Sequence, residues 1–361
     1  MNAAFLLAAT VRCAVGCNVG APDGQALHVL ECDTETGAAR LVQSVKGIQG
    51  TTYFTFDADG KWLYSTIGER KDGKRVGSLV RFAVAEGILG TMERLCALPC
   101  EAPCHVSLTA DRRRIAFAAY SSATVGTCPV AGGAAQSVVL PDDAMGPNAK
   151  RQKKAYAHCA FPTPDGRRIG IVDLGCDRIW FFDPKTMRRD ASLAVKADPG
   201  DGPRHAVWSK DGWFLFVVNE LGNSVLSYAF QTSQTSQTFS RVGKWSTLPT
   251  GCADESYASA IKLTDDGKLL MASNRGYDSI AFFDVDTASG ALTLRNIARL
   301  ERSFPRDFEL MPGERFMVVG YEKSNAIRIY RFDRADCTLT PVGEPISAWK
   351  PICFKFWPEG R

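Results

Sequence analysis

His105, His158 and His205 are three of the four histidines in this chain of 361 residues. Each stands six or seven residues ahead of an aspartate that opens a predicted turn: Asp111, Asp165 and Asp211. Arg204 and Arg306 hold the same place ahead of Asp211 and Gly313, and nine residues beyond such turns stand Glu220, Arg275 and Glu322. These residue types suit a small anionic molecule. The planar fork of arginine takes a carboxylate or phosphate through paired hydrogen bonds. Histidine and glutamate can pass protons near neutral pH, and arginine can stabilise an oxyanion or enolate. Polar side chains at a channel mouth can also do nothing more than bond one another and water, but strand starts have no general need for histidine.

The elements that must position them form an internal repeat. A short apolar strand, a turn and a second apolar strand recur at Tyr53, His105, His158, His205, Ala260 and Asp307. The turn anchors Asp59, Asp111, Asp165, Asp211, Asp266 and Gly313 lie 46 to 55 residues apart. A third apolar run, such as Arg178–Asp183 or Ser279–Asp284, follows each pair, and then a more polar fourth. Four short strands per repeat, with almost no helical periodicity, predict a propeller blade. The chain length accommodates about seven.

Six anchors leave one blade to be found at the ends. Phe5–Val11, Ala26–Asp33 and Ala38–Val45 read as the second, third and fourth strands of a blade that lacks its first, and Pro351–Trp357 reads as an isolated first strand. Joining them closes the ring and removes an open sheet edge. The expectation is an all-β fold: a seven-bladed β-propeller with four antiparallel strands per blade, spanning residues 1–361 as one domain. In a propeller, equal repeat positions lie on one ring around the channel. The two ends of the inner hairpin meet at the same end of the blade, so the chemical residues gather at one mouth.

Composition bounds the partners. A net charge of +4 is too small for a nucleic-acid or membrane footprint. The apolar stretch Ala3–Val11 falls far short of the ~20 residues of a membrane span, and no basic segment precedes it as in a signal peptide. Twelve cysteines are too sparse for a secreted disulfide framework, and the C-x3-C spacings at Cys13/Cys17 and Cys96/Cys100/Cys104 are not zinc spacings. A cytoplasmic protein with reduced thiols, no metal and no cofactor is expected. HExxH, P-loop, GxSxG and dinucleotide fingerprints are absent.

Two segments break the repeat. Pro141–Tyr156 is an insertion carrying Lys150, Arg151, Lys153 and Lys154, either a lid that draws anions to the channel or a solvated loop. Gln231–Thr238 (QTSQTSQT) falls where a hairpin between third and fourth strands belongs and reads as a free loop tip.

The stretches PCHVS (Pro103–Ser107), GPNAKRQKKAYAHC (Gly146–Cys159), VDLGCDRI (Val172–Ile179), GDGPRHAVW (Gly200–Trp208), VVNEL (Val217–Leu221), SNRGYDSIAFF (Ser273–Phe283) and PRDF (Pro305–Phe308) resemble the seven-bladed lactonase family. That family includes propeller-type bacterial 6-phosphogluconolactonases and fungal 3-carboxy-cis,cis-muconate lactonizing enzymes. The resemblance implies His158, Arg204, Glu220 and Arg275 as catalytic residues, the four that the repeat register had already placed at one mouth. His105, His205, Arg306 and Glu322, from the same register, are expected to bind substrate. So is Lys262, which stands where many members carry histidine; it keeps a positive charge but loses a neutral proton acceptor. The implied activity is hydrolysis of a phosphorylated sugar lactone such as 6-phosphoglucono-1,5-lactone. A cycloisomerase of the carboxymuconate type and a propeller that only binds a ligand or protein remain alternatives.

Overall fold

The computed structural model describes residues 10–21, 24–71, 74–142 and 144–358. Among them lie seven four-stranded antiparallel sheets and no α-helix. Blade 1 runs Pro351–Phe356, Thr10–Cys17, Leu27–Asp33, Ala39–Val45 from the first to the fourth strand. The first strands of blades 2 to 7 are Phe54–Phe56, His105–Leu108, Ala157–Pro162, Pro203–Trp208, Tyr257–Leu263 and Pro305–Leu310. Ring closure follows the expected route, with Cys13 opposite Phe356 and Val15 opposite Phe354.

One strand is displaced from its expected place. The second strand of blade 1 runs Thr10–Cys17, not Phe5–Val11, and residues 1–9 lie outside the described part. Arg12 interrupts the apolar pattern there, but its side chain turns to Glu31 on the neighbouring strand while Cys13, Val15 and Cys17 fill the core.

Four of the five anchor aspartates form the inner turns through one repeated device. Asp111 accepts from Thr109 Oγ1 at 2.6 Å, Asp165 from Thr163 at 2.8 Å, Asp211 from Ser209 at 2.6 Å and Asp266 from Thr264 at 2.7 Å. The residue after the anchor enters the left-handed region, which glycine accepts without steric cost: Gly166, Gly212 and Gly267 have φ near +70 to +77°. Between blades the faces are apolar, and Phe117, Phe181, Phe216, Phe283, Phe316 and Phe354 are fully buried. Each contributes about 1.5–3 kcal/mol on burial. The fourth strands, such as Gln237–Ser246, are largely exposed and polar, as suits an edge.

The QTSQTSQT segment forms the expected hairpin but is not a free tip. Thr232 and Gln237 donate to the Asp165 carboxylate at 2.8 Å, and Arg167 donates to Gln234 O at 3.2 Å, so the hairpin of blade 5 is clasped to the inner turn of blade 4.

Candidate active site

The inner strands carry β-bulges, and the bulges sort the site residues. Pairing with the second strand skips from Ala157 to Cys159, from Pro203 to His205 and from Pro305 to Asp307. The skipped residues are His158, Arg204 and Arg306. A bulge frees one residue from the ladder and re-aims its side chain. His158 and Arg306, so freed, line a cavity of about 470 Å³ at one mouth of the channel together with Thr52 and Cys104, which precede the unbulged first strands of blades 2 and 3, and Arg204 is buried beneath. Tyr120 and Glu220 reach the same cavity from just beyond the ends of their second strands, and Arg275 from the last residue of its own.

Glu220 is the hub. Its Oε2 lies 2.8 Å from Arg275 and 3.2 Å from Arg204, while Oε1 meets Arg151 at 2.5 Å. Arg204 also donates to Ser259 O at 3.0 Å, and Arg275 to Tyr257 O and Ala258 O at 3.3 Å, so both guanidiniums are fixed to backbone. Burial opposes ionisation of Glu220, but Arg275, Arg204, His158 and Arg151 outweigh it and hold its pKa well below the carboxylate range. His158 Nε2 stands 4.0 Å from Glu220 Oε2, and its Nδ1 has no hydrogen-bond partner. Burial first, then Arg204, depress the His158 pKa against the upward pull of Glu220, which leaves a neutral imidazole at neutral pH. Glu322 accepts from Arg306 at 3.0 Å and from Asn18 at 2.9 Å, fixing Arg306 at the rim.

The other predicted residues lie deeper. The bulges split the histidines into two layers, and only His158 occupies the upper one. His105 stacks on Tyr53 with ring centroids 4.0 Å apart and accepts from Ala160 N at 3.3 Å, while His205 packs edge-on against both rings. Lys262 is lower still: its Nζ is 2.8 Å from Glu309 and 3.6 Å from Asp307. None of the three lines the cavity, and Lys262 already has two carboxylate partners. Among the described residues no group of three or more His, Cys, Asp or Glu could hold a metal ion.

Tyr120 and Asn18 are not among the site residues expected from the sequence, and Arg151 was expected only as one of the four cations of a lid or solvated loop. Tyr120 sits at the same repeat position as Glu220 and Arg275, so the register held its signal. Arg151 belongs to the insertion and had none beyond the local run of cations. That insertion is a fastened strap: Gln152, 2% exposed, donates to Leu174 O at 2.9 Å and Asp177 at 2.8 Å. Asp177 also accepts from Gly200 N and Gly202 N at 2.7 Å, so one carboxylate ties the strap to the loop that leads into Arg204.

The sequence pattern of the family described as Lactonase, 7-bladed beta-propeller, matches residues 12–356. The chain belongs to that family. It is a lactone hydrolase. The chain is 30% identical over 335 residues to a protein of Bacillus subtilis named 6-phosphogluconolactonase, covering 92% of this chain and 94% of that one. A solved structure from Lactobacillus plantarum superposes with a TM-score of 0.84 at 26% identity, covering 96% of this lactonase and 99% of the other chain. The periplasmic gluconolactonase of Pseudomonas aeruginosa has the same fold, with a TM-score of 0.85 at 23% identity over 96% and 99% of the two chains.

Proposed function

We propose that this lactonase hydrolyses a phosphorylated sugar lactone such as 6-phosphoglucono-1,5-lactone, in the cytoplasm and without a cofactor. The observation that carries the reading is the His158 imidazole set 4.0 Å from the Glu220 carboxylate in a cavity lined by Arg151, Arg275 and Arg306 and large enough for a sugar phosphate. The name of the Bacillus subtilis relative supports the substrate class. All twelve cysteines are free thiols, which supports a reducing compartment.

In the proposed reaction a water donates to both His158 Nε2 and Glu220 Oε2. His158 takes one proton as the water oxygen attacks the lactone carbonyl carbon. Negative charge moves to the carbonyl oxygen, facing Arg275 and Arg306. The ring C–O bond then breaks, and the imidazolium returns its proton to the departing alkoxide. The ionised product releases one proton to solvent. Glu220 stays a carboxylate throughout, stabilising the imidazolium and holding Arg204 and Arg275 in place.

Purified protein is expected to open the lactone well above the spontaneous rate in a pH-stat assay. His158→Ala and Arg275→Ala should each abolish the excess. Unchanged rates in both, or turnover of a carboxymuconate in place of the lactone, would refute the reading.

A further inference from the structure

Three arginines converge on Glu220, and they are not equivalent. The side chains of Arg204 and Arg275 are 4% and 7% exposed, stand on inner-blade strands or their bulges, and are pinned to backbone carbonyls. The Arg151 side chain is 33% exposed and comes from the strap. Among the described residues, apart from Glu220 Oε1 it meets only the Tyr120 hydroxyl at 3.5 Å and the face of Tyr257, whose ring centre is 5.5 Å away. Both buried arginines share Oε2, so Oε1 is held by the one guanidinium that can turn into the cavity.

The backbone beneath it is fixed. Asn148 Oδ1 accepts from Lys150 N and Arg151 N at 3.2 and 3.1 Å, Gln152 N donates to Asn148 O at 2.7 Å, and the Gln152 side chain is clamped to Asp177. Lys154 is tied to Ser121 O, and Lys150 and Lys153 are exposed. Of the four cations in the insertion, Arg151 alone lines the cavity. Rotation of one side chain, with no movement of the strap, separates its two settings.

We propose that Arg151 is the specificity residue of this lactonase, binding the anionic substituent of the substrate at the end remote from the reacting carbonyl and exchanging Glu220 Oε1 for that anion when substrate enters. The proposal rests on the phosphorylated-lactone reading above. A phosphate offers a planar guanidinium two oxygens and full charge in place of a carboxylate that two other arginines already neutralise. The exchange also removes one of the cations that depress the Glu220 pKa, making Glu220 a better partner for the imidazolium just when substrate is bound. An uncharged lactone leaves Arg151 on Glu220.

The test compares 6-phosphogluconolactone with gluconolactone in wild type, Arg151→Gln and Arg151→Lys, with Lys153→Ala as a control on the same strap and thermal melting as a check of folding. Arg151→Gln is expected to lower the ratio of kcat/KM for the phosphorylated over the plain lactone by roughly 10- to 100-fold, the range for a charge-assisted hydrogen bond. Most of that loss is expected in KM. Arg151→Lys should recover part of it, and Lys153→Ala none of the change. An equal loss on both lactones overturns the proposal, because it marks a structural role or a role in the chemical step. If wild type turns over neither lactone, the proposed function has failed and the binding question is still answered. Calorimetry with 6-phosphogluconate and gluconate then reads the same ratio directly. A phosphate preference lost in Arg151→Gln supports the proposal; wild type that binds neither acid, or a preference that survives the substitution, overturns it.

Discussion

Glu220→Gln isolates the charge at the centre of the site, because the amide has nearly the shape of the carboxylate. In the native protein the carboxylate is almost fully buried and faces Arg275 at 2.8 Å, Arg204 at 3.2 Å and Arg151 at 2.5 Å. Arg151 can turn to water, so the uncompensated charge falls on Arg204 and Arg275, which cannot. Removing one partner of a buried ion pair costs about 3–5 kcal/mol, and that is the expected loss of stability at pH 7. The pH dependence supplies a second, independent number. The unfolded carboxyl titrates near 4.5, whereas the folded one is held far lower. This group's contribution is therefore complete above the unfolded value and declines as pH falls toward the folded value. Between pH 4 and pH 3 the wild type should lose roughly 1 kcal/mol that the variant does not, narrowing the gap between them. Urea unfolding followed by tryptophan fluorescence at pH 7, 4 and 3 measures both quantities. A variant as stable as wild type at pH 7, or a gap equally wide at pH 3, would refute the picture of a carboxylate holding two buried guanidiniums.

The same neighbourhood fixes a pH profile: His158 must be neutral to accept a proton and its pKa is depressed, so the acidic limb of kcat/KM should lie below pH 6.5. Whatever rate Glu220→Gln retains should show that limb at still lower pH, since Glu220 raises the His158 pKa; a limb at or above 6.5 in wild type contradicts a buried imidazole base. Ring closure is tested by Phe354→Ala in the C-terminal strand. That side chain is fully buried against Gly320, and its removal should cost about 3–5 kcal/mol, read as a lower urea midpoint. A midpoint unchanged within error would mean that the closing strand is dispensable.

The fold was legible because a propeller writes its period into the sequence: the Thr/Ser-x-Asp turn and the two apolar runs around it depend on contacts within a few residues. The site was legible only to the resolution of that period. Indexing from Asp165 and Asp211 brings His158, Arg204, His205 and Glu220 to one end of the blades, as the coordinates have them, but treats two successive positions as one layer. The bulges separate them. A bulge is set by how the first strand meets the channel, a tertiary circumstance with no local residue signature at His158, Arg204 or Arg306, so His105 and His205 were grouped with a cavity that they lie beneath. Lys262 was expected at the site by a different route, because it stands where many members of the family carry histidine, and its partners Asp307 and Glu309 come from the adjacent blade, 45 and 47 residues on. Arg151 escaped because an insertion has no register to be indexed in.

Sevenfold repetition also explains how the cavity can be chemically lopsided. The bulged and facing positions of blades 4 to 7 carry His158, Arg204, Glu220, Arg275, Arg306 and Glu322. The lining from blades 1 to 3 holds no cation: small side chains at Gly20, Thr52, Gly68, Ala102 and Cys104 stand there beside Asn18, Gln49, Glu69, Glu101 and Tyr120. The walls differ in backbone as well as in side chains, because the first strands of blades 4, 5 and 7 are bulged and those of blades 2 and 3 are not. Small side chains leave room on the side of blades 1 to 3, and the cations Arg275, Arg306 and Arg151 stand on the other. In the proposed reaction the lactone carbonyl faces the side that holds His158, Arg275 and Arg306. The strap enters at blade 4, on the cationic side. Arg151 thus extends the cationic side beyond what the repeat alone can build.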